Sequence, residues 1–278
     1  MDFIDTHCHL DAAEFGGAQN EIVLNAASAG VRTIVVPTVA SGNFDSVRQL
    51  CERHHGCVPA YGIHPLYVDQ SRPDDLIRLR DCLSNQQAVA VGEIGLDFFI
   101  EGYNQTRQEY WFVEQLKLAR EFDLPVLLHV RRSQDTVLKH LRQFYARSGP
   151  TSSGSGQAST TLRTGIVHAF NGSRQQADEF IKLGFKLGFG GAMTYPRALR
   201  IRGLAATLPL DSIVLETDAP DIPPDFLQRG LPNEPQYLPR IAQTLATLRD
   251  MTLEDIAAAS TCNALGVLPL VEKYSQHV

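Results

Sequence analysis

Short apolar runs and longer amphipathic segments take turns along the chain. The runs are Phe3-Ile4, Thr33 to Val36, Val58 to Tyr61, Ala88 to Val91, Val126 to Leu128, Gly165 to Val167, Phe185 to Phe189, and Ile213 to Leu215. Continuous β-branched or apolar runs of this length predict strands buried on both faces. Helical spacing fills the intervals at Gln19 to Ala29, Phe44 to His54, Asp74 to Leu83, Thr106 to Glu121, Asp135 to Arg147 and Arg174 to Leu183. Within the fourth of these, Trp111, Val113, Leu116, Leu118 and Ala119 supply an apolar face against a polar back. After the eighth run, Glu234 to Leu248 and Leu253 to Leu265 read as closing helices.

A strand-plus-helix unit of roughly thirty residues fits βαβ crossovers and a parallel sheet. Eight such units in a chain near ~250 residues predict an α/β fold of the TIM-type (β/α)8 barrel class, one domain spanning residues 1–278. The structural rival is a doubly wound open sheet. It demands a glycine-rich phosphate turn after the first strand, and His7-Cys8-His9-Leu10-Asp11 is nothing like one. Residues 148–164, rich in Ser, Thr and Gly, read as a flexible loop leading into the sixth strand, and therefore on the face opposite the catalytic mouth.

With 278 residues, 44% of them hydrophobic and 20% charged, the chain can bury an extensive core. Its five cysteines form no CxxC pair and leave an odd one over, which argues against a disulfide framework and for a reducing compartment, the cytoplasm by default. Asp2, Asp5 and His7 stand where a secretory leader would be apolar, and no run approaches the ~20 apolar residues of a membrane span. No obligatory protein partner is evident either. The net charge of -6 speaks against a nucleic-acid footprint over the whole surface. The charge is uneven, however: from Arg131 to Arg202 twelve basic residues face three acidic ones, leaving +9 there and -15 elsewhere. Such asymmetry suits phosphate handling on one side of a site, as well as the solvated faces of outer helices.

The candidate chemistry starts in Asp5-Thr6-His7-Cys8-His9, where two imidazoles at i and i+2 share one side of an extended segment. Glu93, His129, His168 and Asp218 each close another apolar run, so all six fall at the C-terminal ends of barrel strands, where barrel enzymes do their chemistry. His64, in Gly62-Ile63-His64-Pro65, ends the third strand. Taken singly, each histidine reads as a hydrogen-bonded structural residue; together they would form a charged, poorly solvated cluster unless cations neutralised it. Four imidazoles and two carboxylates exceed what one tetrahedral ion with an open position needs, and suit two ions with a bridge. The expected division gives His7, His9 and Asp218 to one ion and His129 and His168 to the other, with Glu93 bridging. Nitrogen and oxygen donors without thiolate suit Zn, Mn, Fe or, less comfortably, Mg. Such a pair hydrolyses, with Asp218 and Glu93 as the catalytic carboxylates and Asp218 helping to take the proton from water. His64 and Arg131 are the expected substrate contacts, against the bland readings of a loop histidine and a surface ion pair. Glu216 and Asp97 are expected to orient the ligands rather than bind metal.

The motifs as a set resemble the TatD-type metal-dependent hydrolases across nearly the whole chain. They are Ile4-Asp5-Thr6-His7-Cys8-His9, Gly62-Ile63-His64-Pro65, Val91-Gly92-Glu93-Ile94-Gly95-Leu96-Asp97, Leu124-Pro125-Val126 leading to His129, His168-Ala169-Phe170-Asn171-Gly172-Ser173, and Glu216-Thr217-Asp218-Ala219-Pro220. The resemblance implies a TIM-like barrel related to the amidohydrolases, deoxyribonuclease activity, the same six metal ligands, and His64 and Arg131 near substrate. Some positions depart from the family pattern: Asn263-Ala264-Leu265-Gly266-Val267-Leu268 lacks the usual arginine and phenylalanine, Pro232 stands where an arginine is common, and Asp221-Ile222-Pro223 is atypical. Every expected ligand is spared, while the natural substrate is left open.

The leading functional expectation is a phosphodiesterase acting on DNA ends or short single strands, binding mostly through backbone contacts because no aromatic-rich stacking platform is evident. The alternative is an amidohydrolase or deacylase using the same activated water. Relatives with that chemistry often bridge their metals through a modified lysine on the fourth strand, where this chain has Glu93. A metal-storage role needs a closed coordination shell, which an open barrel mouth does not provide.

Overall fold

A computed structural model describes residues 1–84, 88–146 and 163–272. Eight parallel strands form one sheet in sequence order: β1 (Phe3–Asp5), β2 (Val31–Pro37), β3 (Cys57–Tyr61), β4 (Ala90–Asp97), β5 (Val126–Arg131), β6 (Gly165–Val167), β7 (Lys186–Phe189) and β8 (Ile213–Leu215). A helix follows each strand: α1 (Gln19–Ser28), α2 (Phe44–Arg53), α3 (Pro73–Ser84), α4 (Gln105–Glu121), α5 (Gln134–Ala146), α6 (Arg174–Lys182), α7 (Leu199–Thr207) and α8 (Leu238–Arg249), with α9 (Leu253–Val267) added at the end. This is the (β/α)8 barrel the alternation predicts. It closes between β1 and β8 just beyond the regular ladders. Thr6 N–H donates to Leu215 O at 3.1 Å, Asp218 N–H to His7 O at 2.8 Å, and His9 N–H to Ala219 O at 2.8 Å.

The alternation of strand side chains sorts the interior into layers. One face of each strand meets the helices in the main core, as with Phe3, Ile34, Val91, Leu128, Val167 and Ile213. The other face points into the barrel, where Ile4, Val35, Val58, Leu127, Ile166 and Val214 form a second cluster with Ala264, Val267, Leu268 and Val271. The end of α9 and the turn after it thus plug the bottom of the barrel with apolar side chains. Two residues further along the same inward faces come His129, His168 and Glu216, so one periodicity builds an apolar floor and sets polar groups above it.

Several elements differ from the sequence expectations. The helix α7 was not expected: its weakly amphipathic segment carries Gly203 at its centre and an exposed Leu199 at its start, so no apolar stripe announces it. The closing helix expected from Glu234 breaks into a single 3-10 turn, Pro235–Tyr237, and then α8, with Pro239 in its first turn. Glu93 is the fourth of the 8 residues of β4 and His129 the fourth of the 6 of β5, because both strands extend further than their apolar runs. The expected loop at 148–164 lies outside the described residues except for Arg163 and Thr164, and His277 lies outside them as well.

Candidate metal centre

At the C-terminal end of the barrel, β4, β5 and the segments following β1, β6 and β8 bring all six expected ligands together. Glu93 is at the middle and is 1% exposed. Its Oε2 lies 3.3 Å from His7 Nε2 and 3.3 Å from His9 Nε2. Asp218 Oδ1 closes that side, 3.7 Å from His7 Nε2 and 3.8 Å from His9 Nε2. The other carboxylate oxygen, Oε1, faces His168 Nε2 at 2.7 Å and His129 Nδ1 at 2.9 Å. His64 Nε2 stands further back, 3.6 Å from the same oxygen. The rings of His7 and His168 stack at 3.9 Å between centroids, joining the two halves.

The donor set fits divalent cations. His7 Nε2 and His9 Nε2 approach within 3.3 Å, as do His168 Nε2 and His129 Nδ1, so imidazole nitrogens converge in pairs on a shared, buried carboxylate. Two neutral ring nitrogens facing one another offer at most one hydrogen to the pair, and a cation between them accepts both lone pairs. Burial alone would raise the Glu93 carboxyl, but the imidazoles of His168, His64 and His7 hold it well below the usual carboxylate range. Burial works to lower His168 and His9; Glu93 and Asp218 outweigh it and push His168 up to about 10 and His9 to about 9. His7 moves the opposite way, well below the ordinary imidazole value, through burial and the neighbouring His168.

A surrounding layer fixes these side chains. Asp97 Oδ2 lies 3.0 Å from His129 Nε2, leaving Nδ1 to face Glu93, and Asp97 Oδ1 accepts from Phe99 N–H at 2.9 Å. This is the orienting position expected of Asp97. Gly95, at φ +150°, runs so close to β5 that a Cβ there would come within 1.9 Å of His129 O, so only glycine allows the two strands to set Glu93 and His129 side by side. Glu216 is buried behind His168, with its Oε1 3.9 Å from His168 Nδ1, and burial raises its carboxyl to about 8. Beneath it, a Cβ on Gly188 would come within 2.1 Å of Glu216 Oε2.

Two further residues hold the frame, and neither had been assigned a role from sequence. Asp5, fully buried, accepts from Thr217 N–H at 2.9 Å and from Thr217 Oγ1–H at 2.5 Å, fastening β1 to the segment that carries Asp218. Asn233, also fully buried, donates through Nδ2 to Thr217 O at 2.8 Å and to Asp221 O and Ile222 O at 3.2 Å. No sequence signal singles it out, because its three partner carbonyls lie 11 to 16 residues earlier in the chain.

Above the centre opens a cavity of about 980 Å³ whose lining includes His9, His64, Glu93, His129, His168 and Asp218. Arg131 is on its rim, half exposed, with Nη1 3.8 Å from Asp97 Oδ2 and its guanidinium 3.9 Å from the centroid of the Phe99 ring. His64 and Arg131, the expected substrate contacts, therefore both reach the mouth. The cavity's aromatic edge, Phe99, and two further arginines, Arg132 and Arg200, were not singled out in sequence.

A parallel eight-stranded barrel bearing a carboxylate–imidazole centre at its C-terminal end defines the class of metal-dependent hydrolase barrels. Residues 4–269 match the family model described as TatD related DNase, and the chain belongs to that family. Among its relatives, the metal-dependent hydrolase YjjV of Escherichia coli (strain K12) is 42% identical over 259 residues, 92% of this chain and 94% of that one. The crystal structure of YjjV, a TatD homologue, superposes with a TM-score of 0.87 at 40% identity, covering 96% of this chain and 98% of the other. A Danio rerio protein provisionally named deoxyribonuclease tatdn3 is 31% identical over 280 residues, 95% of this chain and 96% of its own length. The protein is a metal-dependent hydrolase of the TatD family.

Proposed function

We propose that the protein is a phosphodiesterase that cleaves DNA with two divalent ions, one held by His7, His9 and Asp218, the other by His129 and His168, with Glu93 bridging. The observation that carries this reading is the division of Glu93, whose two oxygens each face a separate pair of imidazole nitrogens. The family description and the name of the Danio rerio relative support DNA as the substrate class. Divalent ions held there would lower the pKa of a bound water and neutralise charge on a phosphoryl group, whether the metal is Zn, Mn, Fe or Mg.

The chain's own groups do the rest. Asp218, whose Oδ1 stands at the edge of the centre beside His7 and His9, accepts the proton of the attacking water. His64 Nδ1 accepts a hydrogen bond from Leu66 N–H at 3.2 Å, so the ring proton sits on Nε2, which faces the centre and donates to a substrate oxygen. Arg131 clamps a non-bridging phosphate oxygen, steadied by Phe99 beneath its guanidinium. No helix among the described residues is long and apolar enough to cross a membrane.

The test loads metal-stripped protein with Mn, Mg or Zn separately and offers single-stranded DNA, RNA, a chromogenic phosphodiester, and a panel of amides and esters. DNA cleavage that returns with metal and disappears in His129→Ala, while Lys139→Ala retains it, supports the reading. Turnover of carbonyl substrates alone would replace it with an amidohydrolase or deacylase.

A further inference from the structure

The mouth of the barrel carries more positive charge than one phosphate can use. Arg131 is tied to the centre through Asp97, but Arg132 and Arg200 are exposed and have no carboxylate partner among the described residues. Arg132 follows β5, at φ +54°, and its guanidinium lies 4.5 Å from the centroid of the Phe99 ring, which Arg131 also approaches. Arg200 reaches the same cavity from α7 and donates from Nη2 to Asn171 Oδ1. The opening turns of α5 and α6 meet it there, with Gln134, Gly172 and Ser173 in the wall. Asp221 is the acidic group on the wall apart from Asp97, Glu93 and Asp218, which the centre uses.

Depth separates these arginines from the reacting position. Glu93 is 1% exposed and Asp218 9% exposed, whereas both guanidiniums stand on the open rim. A phosphate bound over the buried centre and reached by Arg131 leaves Arg132 and Arg200 for a second anion at the rim. The cavity of about 980 Å³ is near the upper end of the ~300–1,000 Å³ that encloses whole small ligands, so it has room for two phosphates and the sugar between them. Guanidiniums without a carboxylate partner, beside helix N-termini, bind phosphate directionally.

We propose that Arg132 and Arg200, positioned by Phe99 and Asn171, form a second phosphate subsite that takes the phosphate adjoining the one being cleaved. The site thereby selects a strand with successive phosphates, or a nucleotide phosphorylated at its far end, over an isolated phosphodiester. This deepens the phosphodiesterase reading and rests on it. Arg132 and Arg200 bind the flanking group, and Phe99 acts through the arginines as a positioning residue.

The experiment uses p-nitrophenyl esters of thymidylate, with and without a second phosphate on the far sugar hydroxyl, in both polarities, and the metal-loaded enzyme. In the wild type the second phosphate lowers KM about tenfold or more in one polarity, the size expected of charge-assisted hydrogen bonds. The pair Arg132→Met, Arg200→Met shrinks that advantage to below about threefold, with a melting temperature matching the wild type. Phe99→Leu loses part of the advantage, and Phe99→Trp, which keeps an aromatic face for the guanidiniums, restores it. An advantage missing in the wild type, or undiminished in the double variant, overturns the subsite. Should the wild type hydrolyse none of these esters, the phosphodiesterase reading falls. The subsite is then judged by calorimetric binding of thymidine 3′,5′-bisphosphate to the metal-loaded protein: about tenfold weakening in the double variant keeps it, and equal binding removes it.

Discussion

At the scale of single residues, the centre depends on which nitrogen of each ring is free. Asp97 accepts from His129 Nε2–H at 3.0 Å, so the lone pair of Nδ1 is left facing Glu93. In Asp97→Asn the volume and the bond from Phe99 N–H persist, but the new amide group turns an N–H toward His129 Nε2 and drives the ring proton onto Nδ1. Metal uptake on that side of Glu93 should weaken about 10- to 100-fold, with the His7–His9 side less affected. Calorimetric titration of metal-stripped protein reads this as the loss of one affinity, and two wild-type affinities would refute it. A second residue-scale prediction concerns Gly188, where an added methyl would meet Glu216 Oε2 at 2.1 Å. Gly188→Ala should cost about 1–3 kcal/mol in chemical denaturation, since backbone or carboxylate must shift; an unchanged midpoint would show that Glu216 is free to swing aside. The convergence of the six expected ligands at one end of the barrel was legible because each stands at or just past the end of an apolar run. Phe99, Arg132 and Arg200 were not: their meeting depends on a left-handed residue and an unannounced helix, and periodicity reports neither.

At the scale of elements, the segment after β8 carries Asp218 on an irregular backbone. Asp218 and Ile222 both have positive φ, at 57° and 45°, a conformation that aspartate tolerates and β-branched isoleucine rarely adopts. Asn233 offsets that strain by donating to three carbonyls of the segment. Asn233→Ala strands those carbonyls in a buried setting, which costs about 1–3 kcal/mol and loosens the loop without altering any group that faces the centre. Hydrogen exchange at residues 217–222 should then quicken, and affinity for the ion beside Asp218 should fall. Wild-type protection there would show that the β1 clamp through Asp5 suffices by itself. Sequence patterning located β8 and α8 on either side but said nothing of this loop, whose order comes from side-chain-to-backbone hydrogen bonds between residues far apart in the chain.

Taken as a whole molecule, the barrel interior is divided between an apolar lower layer, sealed by α9, and a polar upper layer around Glu93, so its stability should respond to two independent perturbations. Leu268→Ala hollows the plug and should cost about 2–5 kcal/mol while leaving the metal affinities alone, because the cavity it opens lies at the opposite end of the strands. Metal removal acts on the other layer. Ions that bind the folded centre and not the unfolded chain stabilise it by mass action, about 2.7 kcal/mol at one hundred times the dissociation constant, or roughly 5–10 °C in a domain of this size. Stripping should therefore lower the melting temperature, and added Mn or Zn should raise it in a concentration-dependent way. In Glu93→Gln the bridging charge is gone and so is the reason for cations to gather, so the same additions should leave its melting temperature unchanged, while Leu268→Ala, though weaker throughout, should show the full metal-dependent rise. A wild-type melting temperature indifferent to metal would mean that the imidazole–carboxylate cluster is satisfied by its own protons, and the two-ion reading of Glu93 would fall with it.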